Sequence, residues 1–132
     1  MLFRILLLAG VAAGAAIPVW GPARAHDCQP YQPEPVTLTG EIALQHGTRS
    51  GAKGVTNEDY YVLTLPQMIC VAGGTAETDE DVESIDALQL KLPTGVKPPL
   101  GRRVAVTGTL FHRLADGHTD VLLTYDSAKP AL

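Results

Sequence analysis

Apolar and polar side chains alternate along much of the chain after residue 35, a period typical of β-strands with one buried face. The clearest run extends from Val36 to Gln45, where every second residue up to Leu44 is apolar or glycine. Pro66 and the Gly73-Gly74 pair interrupt the pattern as strand boundaries do. Shorter apolar runs predict five further strands, at residues 61–65, 68–71, 87–92, 104–110 and 121–125.

One segment has a different period. Thr78 offers a capping hydroxyl and is followed by carboxylates in the position of a first helical turn. Val82, Ile85 and Leu88 then recur at helical spacing. The pattern therefore predicts a short helical element near residues 79–86.

Together these elements predict an all-β protein. Five or six short strands in about 100 residues favour a closed sheet, because closure hides the strand edges. We therefore expect a small OB-like five- or six-stranded barrel with one short helical element. Gly40 and Gly108 lie within strands, where a small barrel bends sharply. A small open sandwich is the alternative.

The first 25 residues have the features of a secretory signal peptide. Arg4 precedes an apolar run from residue 5 to 17, Pro18 ends it, and Ala23-Arg24-Ala25 is a cleavage signal. The run is about 13 residues long and a spanning helix needs roughly 20, so no stable membrane insertion is expected. Residues 1–25 are thus assigned to the signal peptide and residues 26–132 to a single β-barrel domain, which is periplasmic or secreted.

Export changes the charge of the protein. The chain has 10 basic and 14 acidic residues, and cleavage removes Arg4 and Arg24, which leaves a net charge of −6. An acidic domain is a poor ligand for nucleic acid or for an anionic membrane. The two cysteines, Cys28 and Cys70, are expected to form a disulfide in an oxidising compartment.

Several motifs of the mature chain are shared with a known family. They are Cys28-x-x-Tyr31-x-Pro33, Ile69-Cys70-Val71, Gly101-x-x-Val104-x-Val106-x-Gly108-x-Leu110-Phe111-His112 and His118-Thr119-x-Val121. The chain resembles, over nearly its whole mature length, the bacterial secreted family catalogued as domain of unknown function 4431. The resemblance implies no activity. Family members often carry more histidines after the Phe-His pair, where this chain has residues 113–117.

A transition-metal site built from His112, His118, His46 and His26 is a second hypothesis. A two-residue turn at Asp116-Gly117 would pair His112 with Val121 and place His112 and His118 on opposite faces of the hairpin. A three-residue turn would bring the two imidazoles to one side. With the two-residue turn, His112 is expected to be satisfied by backbone groups and His118 to be a solvated turn residue.

Enzymatic motifs are missing from the sequence. It has no phosphate-binding glycine loop, no G-x-S-x-G elbow and no H-E-x-x-H pair. We therefore expect a protein that is not an enzyme and needs no cofactor.

Residues 46–59 have no periodicity and predict a long loop, a feature often associated with binding. In an OB-like barrel it would lie beside the loop around residues 113–118. Arg49, Lys53, Arg113 and His118 would then form a binding rim. The partner expected for this rim is an envelope protein, a peptide or a glycan. The alternative is a mobile loop without a ligand.

Overall fold

The computed structural model describes residues 28–114 and 117–131, so the signal peptide and His26 lie outside the described residues. The described chain contains seven strands and no helix, and hence no helix that could cross a bilayer. The strands are β1 (Gln29–Pro30), β2 (Pro35–Gly51), β3 (Gly54–Ala72), β4 (Val82–Lys91), β5 (Arg103–His112), β6 (Val121–Thr124) and β7 (Ser127–Pro130). The all-β prediction is confirmed.

Five of these strands pair in a ring. β2 is antiparallel to β3 and β5, β3 is antiparallel to β4, and β5 is antiparallel to β6. β4 and β6 run parallel and complete the ring. β1 adds to β3 and β7 adds to β5.

The alternating apolar residues of the ring strands face its interior. Those buried almost completely are Ile42, Leu63, Val71, Leu88, Val104, Val106, Leu110, Val121 and Leu123. Burial of an aliphatic side chain contributes about 1.5–3 kcal/mol to folding. The ring therefore encloses the hydrophobic core of the described chain.

The prediction of a short helix near residues 79–86 is wrong. Residues 76–80 form a turn and β4 begins at Val82. Val82 and Ile85 are three residues apart in β4, whereas their partners in β3, Val71 and Ile69, are two residues apart. A register shift between these two pairs accommodates the extra residue. A bulge lets residues three apart share one face of a strand, and this spacing imitates a helix.

The prediction of a long loop over residues 46–59 is also wrong, because this segment is a β-hairpin. β2 and β3 stay paired from Glu41 and Thr64 to Gly51 and Gly54. Most of the hairpin projects beyond the ring and is exposed, so neither face needs apolar residues and no alternation marks the strands. β3 also continues through Pro66, where a boundary between two strands was predicted.

The predicted disulfide between Cys28 and Cys70 is confirmed. It attaches the start of the described chain to β3, beside the two-residue β1 that pairs with Val71 and Ala72. The bonded cysteines are 42 residues apart in sequence. On the chain-entropy model such a cross-link stabilises the fold by about 4 kcal/mol.

The two mid-strand glycines lie where other backbone approaches closely. A Cβ atom at Gly40 would be 2.2 Å from the carbonyl oxygen of Thr64, and one at Gly108 would be 1.7 Å from that of Thr124. Gly40 lies next to Glu41, at which β2 changes partner from β5 to β3. Glycine is required here because the strands of a small ring cross closely at its corners.

We therefore expect Gly108→Ala to destabilise the protein by about 3 kcal/mol or more, since the added methyl group collides with backbone that cannot rotate away. Gly51→Ala is the matched control, because its Cβ would be 4.0 Å from the nearest atom, the oxygen of Gly54. That change should alter stability by less than about 0.5 kcal/mol. Urea denaturation of both variants measures the difference, and equal midpoints would contradict this explanation.

Tyr31, near the start of the described residues, contacts the acidic turn before β4. Its ring is buried, and its hydroxyl donates a hydrogen bond to the backbone carbonyl of Glu80. Burial, followed by the negative charges of Asp79, Asp81 and Glu80, raises the pKa of Tyr31 from 10.0 to about 12. The folded protein therefore holds this phenolic proton more tightly than the unfolded chain does.

This shift predicts a specific alkaline instability. Between pH 10 and about 12 the unfolded chain loses the Tyr31 proton and the folded protein keeps it, so the free energy of unfolding falls as pH rises. Tyr31→Phe should cost about 1 kcal/mol near neutral pH, from the lost hydrogen bond, and should flatten the alkaline decline. Thermal melts at several pH values measure both effects. Tyr125→Phe is the control, and an unchanged alkaline slope in Tyr31→Phe would contradict the prediction.

Candidate functional site

The β2–β3 hairpin and the β5–β6 connection meet on one side of the ring. The pairing of His112 with Val121 that a two-residue turn predicts for β5 and β6 is confirmed, and Leu110 lies opposite Leu123. The backbone N–H of Arg113 continues it by donating to the carbonyl oxygen of Asp120 at 2.8 Å. Asp116 of the predicted two-residue turn lies outside the described residues.

His118 fastens this connection to the hairpin. Its ring stacks on Tyr60 with a centroid separation of 4.0 Å and an interplanar angle of 4°. A Cβ atom at Gly47 would be 3.3 Å from the His118 ring and 2.9 Å from Tyr60. The absence of a side chain at Gly47 thus leaves room for the stacked pair, and the His118 side chain is 17% exposed. The expectation that His118 is a solvated turn residue is wrong.

Glu58 connects His118 to Arg49. One carboxylate oxygen lies 3.2 Å from Nε2 of His118 and also accepts a hydrogen bond of 2.8 Å from Nε of Arg49. The other oxygen accepts from Nη2 of Arg49. A carboxylate shared in this way holds two side chains in fixed positions and offsets the charge of the arginine.

The backbone of the connection is fixed by β4. The N–H of His118 donates to Oε1 of Gln89 at 2.7 Å, and the N–H of Gln89 donates to Oγ1 of Thr119 at 2.9 Å. Because the amide oxygen of Gln89 is engaged, the orientation of its NH₂ group is also set. Residues 118–119 are therefore attached to both β3 and β4.

A groove of about 300 Å³ lies beside this attachment. This volume is at the lower end of the range for small-ligand sites. Apolar side chains form much of its wall, and Leu114 is 58% exposed. The groove is lined by Arg49, Gln89, Leu90, Lys91, Leu92, Phe111, Leu114 and Leu122.

Two of the polar side chains of the groove, Arg49 and Lys91, are cationic hydrogen-bond donors. The ammonium group of Lys91 lies 5.7 Å from the centroid of the Phe111 ring, within cation–π range. Within residues 28–114 and 117–131, Lys91 forms no ion pair with a carboxylate. Among the residues that the structure describes, no acidic residue lines the groove. The arrangement suits a ligand that combines an anionic group with an apolar part.

Two of the four residues of the predicted rim lie close together in the structure. Arg49 and His118 meet through Glu58, while Lys53 lies in the hairpin turn between Gly51 and Gly54, away from the groove. The guanidinium of Arg113 is 3.8 Å from a carboxylate oxygen of Asp120. The protein's own carboxylates offset much of the positive charge that was expected for this rim.

Three of the four histidines lie among the described residues, and each contacts a different partner; His26 of the metal hypothesis lies outside them. Nδ1 of His46 lies 2.6 Å from Asp59, His118 contacts Glu58, and Nδ1 of His112 lies 3.3 Å from the carbonyl oxygen of Arg113. In the part of the chain that the structure describes, no group of three or more His, Cys, Asp or Glu residues is placed to hold a metal ion. The contact of His112 with a backbone carbonyl is of the kind expected.

The sequence did not single out the other side chains that build this surface, which are Tyr60, Glu58, Gln89, Lys91 and Phe111. Gln89 and Lys91 alternate with the buried Leu88 and Leu90 in a predicted strand, so their outward position was readable from the strand pattern. The proximity of these residues to Tyr60, Glu58 and Phe111 was not readable, because it depends on the parallel pairing of β4 with β6.

Comparison of the chain with models of known protein families and with curated proteins gives no match.

We expect the stacked pair to hold the β5–β6 connection in place. Gly47→Ala should displace His118 from Tyr60, and His118→Ala should remove the stack and the contact with Glu58, each at a cost of about 1–2 kcal/mol. Amide hydrogen exchange at residue 118 should become faster in both variants. His46→Ala is the control, because the His46 side chain is 78% exposed and makes its contact outside this cluster. Unchanged exchange in both test variants would show that other contacts hold the connection.

Proposed function

We propose that this protein is an exported, non-catalytic binding module of OB-like architecture, and that its ligand occupies the groove between β4, β5, β6 and the β2–β3 hairpin. The ligand belongs to an envelope protein, a peptide or a glycan. The observation that carries the proposal is the groove itself, whose apolar wall holds Lys91, Gln89 and Arg49 and, among the described residues, no carboxylate.

The strand order supports the OB-like assignment. In the ring, β4 lies between β3 and β6, and β6 lies between β4 and β5. A five-stranded Greek-key barrel of the OB type has such an order, and its ligands are held by the loops after its first and fourth strands. Here these are the β2–β3 hairpin and the β5–β6 connection, which meet through Glu58 and His118.

Export is supported by two independent features. A disulfide between Cys28 and Cys70 is typical of proteins outside the reducing cytosol. Residues 1–25 have the charge, apolar run and small-residue motif of a signal peptide. The resemblance to the secreted family of unknown function agrees with both, and we propose membership of that family on the motifs given above.

Site-specific photo-crosslinking in the native envelope tests the proposed site. A benzoylphenylalanine at position 114 should form adducts with the ligand, because Leu114 lines the groove. The same group at position 55 is the control, since Val55 is 68% exposed and lies outside the groove. Lys91→Gln should weaken the adducts at position 114, whereas Lys97→Gln, an exposed lysine elsewhere, should not.

Two results would contradict the proposed site. One is an identical adduct pattern at positions 55 and 114, because contacts made equally at both places are non-specific. The other is adducts at position 114 that respond neither to Lys91→Gln nor to salt. Binding through an exposed ammonium group should weaken as salt rises, because salt screens exposed charges beyond about 10 Å at 0.1 M ionic strength. A stoichiometric metal ion that is lost on substitution of His118 would favour the metal hypothesis instead.

A further inference from the structure

We propose that a second copy of this chain binds along the β2–β3 hairpin, with β2 of one copy pairing antiparallel to β2 of the other over residues 44–50. A two-fold axis at Gly47 relates the two strands. The contact is made by main chain and does not depend on the ligand of the groove.

The interface is a strand edge without a partner in the part of the chain that the structure describes. β2 pairs with β5 as far as Glu41 and with β3 from Glu41 to Gly51. On the β5 side, the N–H of Gly101 donates to the carbonyl oxygen of Ile42 at 3.3 Å, and no described strand follows along residues 44–50. These residues are exposed, except for the half-buried Gly47. Their open side is therefore accessible to another chain.

The even-numbered residues of this segment direct their main-chain groups to the open side. The carbonyl of Ile42 points that way, towards Gly101. The carbonyl of Arg49 points the other way, where it accepts a hydrogen bond of 3.4 Å from Oγ1 of Thr56 in β3. Successive residues of a strand direct their main-chain groups to alternate sides. The N–H and C=O groups of the open edge thus belong to Leu44, His46, Thr48 and Ser50.

The other outer strands of the described sheet are protected against such pairing. β1 has 2 residues, one of which is Pro30, and β7 has 4, including Lys129 and Pro130. Short length, proline and lysine are means by which natural proteins prevent edge-to-edge association. Residues 44–50 contain neither proline nor lysine, and their pairing with β3 continues without a bulge. This edge is therefore able to pair.

The β3 side of the hairpin is less accessible. His118, from the β5–β6 connection, stacks on Tyr60 and contacts Glu58, both of which belong to β3. A strand added on that side would meet this connection, so β2 is the side available to a partner.

The pattern of the open edge fits a second copy of itself. Its outward-facing residues are symmetric about Gly47, so a two-fold axis there sets Leu44 opposite Ser50 of the second copy and His46 opposite Thr48. Each such pair exchanges two hydrogen bonds. A contact that uses the same surface on both copies closes as a dimer and does not continue into a fibre.

The charges along the edge agree with this register. Arg49 lies opposite Gln45 of the second copy, and Glu58 of its own chain already offsets its charge. His46 lies opposite an uncharged threonine and contacts Asp59 of its own chain. Like charges placed directly opposite each other destabilise a strand pair, and this register brings none together.

Exposed apolar side chains lie at both ends of the edge. Leu44 and Leu100 are 40% and 47% exposed at the base of the hairpin, and Val55 is 68% exposed near its tip. Val55 lies opposite Ser50 within its own hairpin. In the proposed register Ser50 of the second copy faces Leu44, so Val55 of that copy lies one strand further along the same face. Dimerisation then covers apolar surface that each monomer leaves exposed.

Sedimentation velocity of the mature, disulfide-bonded protein over a range of concentrations tests for the dimer. We expect a reversible monomer–dimer equilibrium. Thr48→Pro should weaken dimerisation about tenfold or more, because proline removes an N–H donor from the open edge of both copies. Asn57→Pro is the matched control, since Asn57 lies directly opposite Thr48 in the hairpin and belongs to the other edge. This change should disturb the hairpin equally and leave dimerisation unchanged.

Amide hydrogen exchange on the unaltered chain locates the contact without any variant. The amides of the even-numbered residues from 44 to 50 should exchange more slowly in concentrated than in dilute samples. The odd-numbered residues between them already bond to β3, so slowing at every second residue is the signature of an added strand. The amides of Asn57 and Asp59, on the other edge, should not change.

A protein that sediments as a monomer at every concentration would overturn the proposal. A dimer that Thr48→Pro and Asn57→Pro weaken equally would overturn it too, as would a dimer with unchanged exchange at residues 44–50, since the contact would then lie elsewhere. Protection of these amides in a monomer by peptides of an extended synthetic library would assign the edge to a different polypeptide. These results are independent of the groove, which is tested by the Lys91-dependent adducts at position 114.

Discussion

The parallel pairing of β4 with β6 is the interaction on which the rest of the structure depends. It closes the ring of five strands and places Leu90 beside Leu123 in the core. The same pairing sets Gln89 beside Leu122 on the other face, which is the face that carries the groove. Without it, β3–β4 and β5–β6 would each retain an exposed edge, and edges of this kind promote aggregation.

Closure of a small ring imposes a further constraint. Its strands cross at short range, and so Gly108 lies where any side chain would meet the Thr124 carbonyl group. Two of its strands, β2 and β3, are longer than the other three, and their ends project from the ring as a polar hairpin. The groove lies beside this hairpin, between Arg49 of β2 and residues 89–92.

Polar contacts then fix the projecting hairpin relative to the ring. Glu58 holds Arg49 and contacts His118, and His118 is stacked on Tyr60. Isolated exposed ion pairs contribute little to stability, but a shared, partly buried carboxylate limits how far the hairpin can move. The groove beside this cluster is thus bordered by elements that lie far apart in the sequence.

The amino-acid sequence by itself determined the local properties of this protein: the strand faces from Val36 to Ile42, the cysteine pair, and the hairpin register that sets His112 opposite Val121. These follow from period-two burial and turn length, which act over a few residues, and from the count of two cysteines. Only the tertiary structure decided that residues 46–59 form strands, that Val82 begins a strand rather than a helix, and that Lys91 lies near Phe111. Those outcomes depend on bulges, on a hairpin with two solvated faces and on pairing between distant strands, none of which leaves a periodic signal in the chain.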